Sequence, residues 1–574
     1  MNHCPNIPLQ RNAQARKETS AFLLNRLRAM LIALSVVLCT SGAVAQGNYQ
    51  SNASGNWNSA ATWTLISGSD ADGIPDADDN IDIVSGHSVI VNANSAVNNV
   101  TVTSGTLDIR GFNLTVNGAT SVSGSVIFST STAGTKIFIG TVTINNGGSW
   151  SHSVNETVVL RGGIVNNGSF STGTGAYTLN TNSQALTGSN PISFGGNLAI
   201  TGAITITNNT TVAVAASLTG SVAGSTFLNA SGATLNVGAA LLATGTLDAT
   251  ASPNTVNYNG GGNQTMKGTT YHDLTVTKSG GTATLGGTTT VNNSFTVASG
   301  TAATGANTLT VSGATDITGT FNITSATGTK TFVGPVTLNT GAVWNNSSNE
   351  AIDMRGGLTH NGTTFTAGTG VYTFNTNSQV IGGTTAITIP SISVTGVTLT
   401  NNTTLTVSTA LAGTGGIANA ASGRLNINFT GTPAITTLTA SEVGNIVQYG
   451  AGGAQTIKVP TSSVYHHLIL ATSGAKTAGG PLTVDGDLTL SGTATFDAGT
   501  SLTHAFAGSW ILNTTAATPF AFTTASTINF NTPGTPAATS IDGTTTATIA
   551  FNNVNINNTS GVSVNENISF QTGT

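Results

Sequence analysis

Cysteine is almost absent from this sequence of 574 residues. Its two cysteines, Cys4 and Cys39, both lie within the first 45 residues. The rest of the chain forms no disulfide, which excludes the small disulfide-stapled domains that are common among secreted proteins. A chain of this length without disulfides depends on backbone hydrogen bonds and on side-chain packing.

Charge is equally scarce, because only 6% of the residues are Asp, Glu, Lys or Arg and the net charge is −5. The basic residues beyond residue 45 are scattered singly, whereas phosphate binding needs clustered cations. We therefore expect no nucleic-acid partner. Hydrophobic residues nevertheless make up 38% of the chain and follow a regular pattern, which a disordered chain does not have.

Helical periodicity is also missing beyond residue 45. The chain instead alternates branched apolar residues with Thr or Asn in very short segments, such as Val100–Val102, Leu107–Ile109 and Leu114–Val116. This alternation is typical of half-buried strands, and the Gly and Asn clusters between the segments are typical of tight turns. The sequence therefore predicts an all-β protein.

The first 45 residues differ in kind from the rest. Basic residues precede the apolar run 29–38, and the segment ends in Ala43-Val44-Ala45. This pattern predicts a signal peptide, residues 1–45, cleaved after Ala45. The apolar run is too short to span a bilayer, so we expect no transmembrane helix. The expected location is extracellular or at a bacterial cell surface.

A long internal repeat follows. The segment that contains Gly134-Thr135-Lys136, Trp150, Glu156 and Arg161 returns 194 residues later with Lys330, Trp344, Glu350 and Arg355 at equivalent positions. Such self-similarity predicts a modular architecture. We assign a cap at 46–88, repeat units at 89–283 and 284–477, and a partial, diverged third unit at 478–574.

Short strands, tight turns and a modular repeat favour a right-handed parallel β-helix, a β-solenoid in which each coil stacks on the one before it. About nine coils would make one repeat, and some 24 coils would make a rod of about 110 Å at the usual strand spacing. The alternative is a series of tandem β-sandwich domains.

The segment Gly55–Trp63, with its two tryptophans, together with 75–80 and 83–91, resembles the opening of the large β-strand-repeat surface proteins of Bacteroidota-type Gram-negative bacteria. The phrases Gly262-Asn263-Gln264 and 271–274 resemble their internal repeats. This resemblance implies an adhesin-like or filamentous-haemagglutinin-like rod that is secreted or held at the outer membrane. Polysaccharide, a host surface or a neighbouring cell would then be the partner.

The acidic residues concentrate in one segment. The run 70–80 resembles a single thrombospondin type 3 repeat, whose alternate carboxylates around a Gly turn bind Ca²⁺. The residues that this resemblance assigns to the metal are Asp70, Asp72, Asp76, Asp78 and Asp79. In the alternative interpretation, the same Asp-rich turn simply starts the first strand. No other cofactor is expected.

We expect no catalytic residues, because the other acids are dispersed and carbohydrate-cleaving β-helices need several converging carboxylates. The histidines beyond residue 45 are expected at the surface. The pairs Glu156/Arg161 and Glu350/Arg355 are expected as corner ion pairs or stacking positions rather than as a binding site. The repeated tryptophans Trp150 and Trp344 are expected to fill the core or, as the alternative, to stack on carbohydrate.

These observations together favour a non-enzymatic extracellular rod with a structural or adhesive role. Two alternatives remain open, a carbohydrate-binding or carbohydrate-active β-helix and a calcium-dependent matrix protein.

Overall fold

The computed structural model describes residues 46–130, 134–522, 525–531 and 539–570. The predicted signal peptide lies outside these ranges. The described chain is all-β, and its one helical element is the single 3₁₀ turn Ala60–Thr62. None of the described helices is long and apolar enough to cross a membrane.

The fold is a right-handed parallel β-helix of about 23 turns, as the alternating pattern predicted. Each coil contributes short strands to three parallel sheets, and nearly every strand pairs with the strand one coil before and one coil after it. Apolar side chains at every second position point into the tube, where they are almost completely buried. The tandem-sandwich alternative is wrong, because the sheets run parallel from coil to coil and form no separate antiparallel domains.

The strands divide among the three sheets as follows. The first sheet contains Asn48–Ser51, Asn80–Ile83, Asn99–Val102, Thr120–Val122, Val142–Ile144, Ile164–Asn166, Gln184–Thr187, Thr205–Asn208, Thr226–Asn229, Thr246–Asp248, Thr270–Tyr271, Thr289–Val291, Leu309–Val311, Lys330–Phe332, Ile352–Met354, Val371–Asn375, Ser391–Thr395, Ala410–Asn419, Ala434–Thr439, Gln455–Ile457, Ser473–Ala478 and Phe520–Ala521. The second sheet contains Gly55–Asn56, Ser88–Val91, Thr106–Ile109, Ser125–Phe128, Ser149–His152, Ser169–Thr172, Ile192–Phe194, Thr211–Val214, Thr234–Val237, Thr255–Tyr258, Asp273–Leu285, Phe295–Ala303, Thr315–Ile317, Val336–Leu338, Leu358–His360, Gln379–Gly382, Thr398–Asn401, Val464–Tyr465, Thr483–Val484, Thr503–Phe506, Thr527–Asn531 and Asn553–Asn557. The third sheet contains Ser95–Val97, Leu114–Val116, Lys136–Phe138, Val158–Leu160, Tyr177–Asn180, Leu198–Thr201, Leu218–Gly220, Gln264–Met266, Thr320–Asn322, Val343–Asn345, Thr364–Thr366, Ile387–Thr388, Thr404–Val407, Arg424–Ile427, Ile446–Tyr449, His467–Leu470, Leu488–Asp497, Trp510–Thr514, Thr539–Gly543 and Val562–Val564. Ile549–Phe551 and Ile568–Phe570 pair with each other, and the longest strands turn a corner from one sheet into the next.

The first coil is closed by a strand of opposite direction. Trp63–Ser67 pairs antiparallel with Asn48–Ser51 and forms the edge of the first sheet. Trp57 and Trp63, the first residue of this strand, are buried with their ring centroids 5.5 Å apart. The Trp63 indole N–H donates to the Trp57 carbonyl at 2.8 Å. This strand covers the sheet edge that would otherwise be open to pairing with another chain.

Glycine is required where the repeated Arg-Gly-Gly phrase turns a corner. Gly163 and Gly357 occupy equivalent places in the two copies, with φ of 82° and 90°. A Cβ atom there would lie 2.3 Å from the Ala185 carbonyl oxygen and 2.6 Å from that of Val380. Both the left-handed backbone and the closeness of the next coil therefore demand a residue without a side chain.

The two repeat copies do not occupy the same sheets. Leu114–Val116 lies in the third sheet, whereas its copy Leu309–Val311 lies in the first; Thr120–Val122 lies in the first, and its copy Thr315–Ile317 in the second. A repeat is therefore not a whole number of coils, as the expectation of about nine coils had implied. The second copy is rotated relative to the first by one sheet, which is a third of a turn about the tube.

Candidate functional site

The predicted calcium ligands lie in the loop between Trp63–Ser67 and Asn80–Ile83. The structure brings Asp76, Asp78 and Asp79 together, with one carboxylate oxygen from each within 4.8 Å of the others. It does not gather all five predicted residues in this way. Asp70 instead accepts a hydrogen bond from the Tyr49 hydroxyl, and Asp72 accepts one from the backbone N–H of Ile74 at 2.9 Å.

Asp79 has a structural role of its own. Its side chain is buried, and its two oxygens accept the backbone N–H groups of Gly47 at 2.6 Å and of Asp76 at 2.9 Å. Burial raises the pKa of the Asp79 carboxyl. The hydrogen bond with Asp78, followed by burial, raises the pKa of Asp76. The Asp79 carboxylate thus ties the loop to the backbone immediately before the first strand.

Calcium at this loop stays a prediction, and the cluster of Asp76, Asp78 and Asp79 supplies part of the six to eight oxygens that the ion prefers. We expect millimolar Ca²⁺ to raise the melting temperature of the protein, and an Asp76→Asn/Asp78→Asn variant to lose that response because two carboxylates are gone. Differential scanning fluorimetry with and without chelator measures both. Identical melting temperatures of the parent protein with Ca²⁺ and with chelator would contradict the prediction.

The repeated tryptophans are buried, so the carbohydrate-stacking alternative is wrong for them. The indole N–H of Trp150 donates to the Tyr177 hydroxyl at 3.0 Å, and the indole N–H of Trp344 donates to the Tyr372 hydroxyl at the same distance. All four rings lie inside the tube. Each pair joins consecutive coils through a hydrogen bond that has no competition from water.

The repeated glutamines are buried too. The Gln184 amide accepts the Gly163 N–H and donates to the Leu160 carbonyl, and Gln379 repeats this with Gly357 and Met354, all at 2.8 to 3.0 Å. These bonds run from one coil to the preceding one. They satisfy backbone groups at the corner where the Gly-Gly turn interrupts the regular ladder.

Two further glutamines each bind a buried lysine. The Lys278 ammonium donates to the Gln264 side-chain oxygen at 2.7 Å, and Lys476 donates to that of Gln455 at 2.7 Å. The glutamines are equivalent in the repeat, whereas the lysines are not, because Lys476 is in register with Gln455 and Ala283 takes that place beside Gln264. Burial lowers the pKa of both lysines, that of Lys476 to about 8.

Asparagines stack at one corner in both copies. The Asn208 amide donates to Asn229 at 2.8 Å and Asn229 to Asn254 at 3.2 Å. The Asn401 amide donates to Asn419 at 2.8 Å in the second copy. All of these side chains are buried. The ladders connect successive coils without any contribution from solvent.

The expected corner ion pairs are wrong. The Glu156 carboxylate pairs with the Lys136 ammonium at 2.8 Å, and the Arg161 guanidinium donates to Asn180 instead. Arg355 pairs with Asp353 at 2.6 Å rather than with Glu350. For Glu156 the partner in space lies one coil away along the chain, so proximity in sequence misled the prediction.

Histidine burial also differs from the expectation, because His152, His360 and His504 lie inside the tube. Burial, followed by the charge of Lys136, lowers the pKa of His152 to about 4. The imidazole is therefore neutral at neutral pH. Its ring stacks on Phe128 at a centroid distance of 4.3 Å, and its Nδ1 lies 3.1 Å from the Tyr177 hydroxyl.

This lowered pKa gives a pH prediction. An unfolded His152 binds a proton below about pH 6.5, whereas the folded one does so only near pH 4, so its contribution to stability falls as the pH drops through that window. We expect the urea midpoint to fall more between pH 7 and pH 5 for the parent protein than for His152→Asn, which copies Asn346 of the second repeat. Equal decreases of the urea midpoint in both proteins would contradict this prediction.

A cavity on the outside of the tube has a volume of about 540 Å³ and lies between 239–243 and 263–268. A neighbouring cavity of about 400 Å³ shares Asn263, Gln264 and Thr265 with it and extends to Thr324. Among the described residues, no aromatic side chain lines either cavity. The walls offer amides, hydroxyls and apolar groups, and the first cavity is also lined by Lys267.

Comparison with protein-family models, curated proteins and solved structures finds no match for this chain. The parallel β-helix is therefore the class that the structure defines, and the function must be inferred from the residues of the chain itself.

Proposed function

We propose that this protein is a non-enzymatic extracellular rod whose role is structural or adhesive at a bacterial surface. This proposal rests on the position of the polar and aromatic side chains that the two repeat copies share. The tryptophan, tyrosine, glutamine and asparagine residues shared by the two copies are buried, where they bind one another and the backbone of the next coil. These shared buried side chains therefore serve the stability of the tube.

The distribution of acids supports a non-enzymatic role. Among the described residues, the cluster of three acids lies in the loop of the first coils, where Asp79 is occupied by backbone N–H groups. A carbohydrate-cleaving site needs an acid and a second carboxylate on opposite sides of a bound sugar. A tight turn with converging carboxylates does not offer that space.

The test couples the purified protein to beads and measures their retention under flow on polysaccharide-coated and cell-coated surfaces. We expect retention above that of beads coated with an unrelated β-helix of similar length. In parallel, protease added to intact producing cells should remove the protein. Protection from protease would contradict the surface location, and release of reducing ends from a polysaccharide panel would contradict the non-enzymatic role.

Glycan binding is the second candidate, and the pair of outer cavities favours it. Asn263, Thr265 and Thr282 offer hydrogen-bonding groups to an extended chain along the tube. A glycan array with the parent protein and Thr265→Trp, which fills the shared part of both cavities, is the measurement. Binding that the tryptophan abolishes would support this function; equal binding by both proteins would place the glycan elsewhere.

A further inference from the structure

A buried cluster of three titratable groups lies in the tube near its first coils. Lys136 opens a strand of the third sheet, and Val158 pairs with it in the next coil. Glu156 lies two residues before Val158, and His152 ends the strand before that. The side chains of Lys136 and Glu156 are 0% and 1% exposed, and the lysine Nζ lies 2.8 Å from the glutamate Oε2.

The cluster has unused hydrogen-bonding capacity. Glu156 Oε1 and His152 Nε2 are buried, and no hydrogen-bond partner for either is found among the described residues. Within the described part of the chain, the lysine ammonium also donates a hydrogen bond to the Gly134 carbonyl at 3.1 Å. A buried ion pair pays a large desolvation cost, which only further hydrogen bonds to its remaining atoms would offset. As an ion pair, this arrangement is incompletely satisfied.

We propose that Lys136 and Glu156 become joined by an amide bond between Nζ and Cδ, which links two consecutive coils covalently. Burial raises the pKa of Glu156, which favours its neutral carboxylic acid. Proton transfer from the ammonium to the carboxylate leaves an amine beside a carboxylic acid. The two groups are held in contact, which replaces the encounter of separate reactants.

The reaction needs no other reactant. The nitrogen lone pair attacks Cδ, the N–C bond forms, and the C–O bond to the hydroxyl breaks. The nitrogen loses a proton and the departing hydroxyl gains one, so that the products are an amide and one water molecule. We assign the proton transfer to His152, because its Nε2 is buried without a hydrogen-bond partner among the described residues, it flanks Gly175 together with the Glu156 backbone, and the charge of Lys136 acts on its imidazole.

The second repeat supplies a matched control within the same chain. Lys330 and Glu350 are the equivalent residues, but the Lys330 ammonium donates to the carbonyls of Thr327 and Gly328. Asn346 replaces the histidine and binds the backbone of Glu350 in both directions. The described residues show no direct ion pair between Lys330 and Glu350. We therefore expect one amide bond in this protein, in the first copy.

Mass spectrometry of the purified protein tests this inference. The intact mass should fall short of the sequence mass by one water molecule. Trypsin should leave residues 111–161 as one peptide that lacks a water, because an acylated Lys136 resists cleavage. Lys136→Arg keeps the positive charge but should restore both the full mass and cleavage at residue 136, whereas Lys330→Arg should leave the loss of water unchanged.

The histidine has its own readout. In newly synthesised His152→Asn protein the loss of water should be absent or slower, and loss at the parent rate would overturn the role of His152 alone. A full-mass parent protein with complete cleavage at Lys136 would overturn the amide bond and leave an ion pair. Peptide mapping of the parent protein decides this even where a variant fails to fold.

Discussion

Replacing Trp344 with alanine is expected to lower the free energy of unfolding by about 3 to 5 kcal/mol, the usual cost of removing a large buried aromatic side chain. The indole is fully buried and packs against Phe321, Phe332 and Phe365 with centroid distances of 5.1, 5.5 and 5.9 Å. Its loss also removes the donor to the Tyr372 hydroxyl. Urea denaturation monitored by circular dichroism measures the change.

The controls separate packing from the hydrogen bond. Trp344→Phe keeps a ring but no N–H donor, so its loss should be intermediate. Val443→Ala changes a side chain that is 76% exposed and should cost under about 0.5 kcal/mol. Because each coil contacts mainly its neighbours, hydrogen exchange should rise first near residues 321–372. A Trp344→Ala loss no larger than that of Val443→Ala would refute the expected role of packing.

Deletion of residues 119–313 is expected to leave a folded, shorter rod. The deletion joins Gly118 to Ala314, so the strand Thr315–Ile317 stacks on Asn99–Val102 in place of its own copy, Thr120–Val122. The strands that follow inherit the neighbours of their copies in the same way. We expect the rod to shorten by about 45 Å, from the spacing of parallel strands. Small-angle scattering measures the longest dimension.

A second deletion, residues 119–318, is the control. It removes one more strand, so every later strand moves to a sheet in which its side chains meet unrelated neighbours. We expect this variant to aggregate or to lose its β-sheet circular dichroism. If the variant that lacks residues 119–313 unfolds as well, the coils are not interchangeable and the repeat is not a structural module.

Much of the fold could be predicted because it depends on local patterns. Val100–Val102 and Leu114–Val116 alternate with period two, and inward burial in the structure follows the apolar positions, as the prediction required. The short strands and the repeat then favoured stacked coils over sandwiches. The buried tryptophans Trp150 and Trp344 were also predicted, in their core-filling role.

The partners of polar side chains could not be predicted, because they depend on which residues face each other across coils. Arg161 is five residues from Glu156, yet the ion pair forms with Lys136, one coil back. His152 is buried because it falls on the inward side of its strand, next to Phe128. The Asp cluster was predicted as a group, but its division between Tyr49, the Gly47 backbone and the loop itself depends on the tertiary structure.

The advance of one sheet per repeat limits how this rod can meet a partner. Outward-facing residues that the copies share point in directions about 120° apart, since a third of a turn separates them, so a flat receptor laid against one side engages a single copy. Avidity from two identical contacts requires geometry that lets both be made at once. A partner that gains from both copies must therefore be flexible enough to wind around the rod, as a long polymer is, or must be a set of separate molecules that surround it.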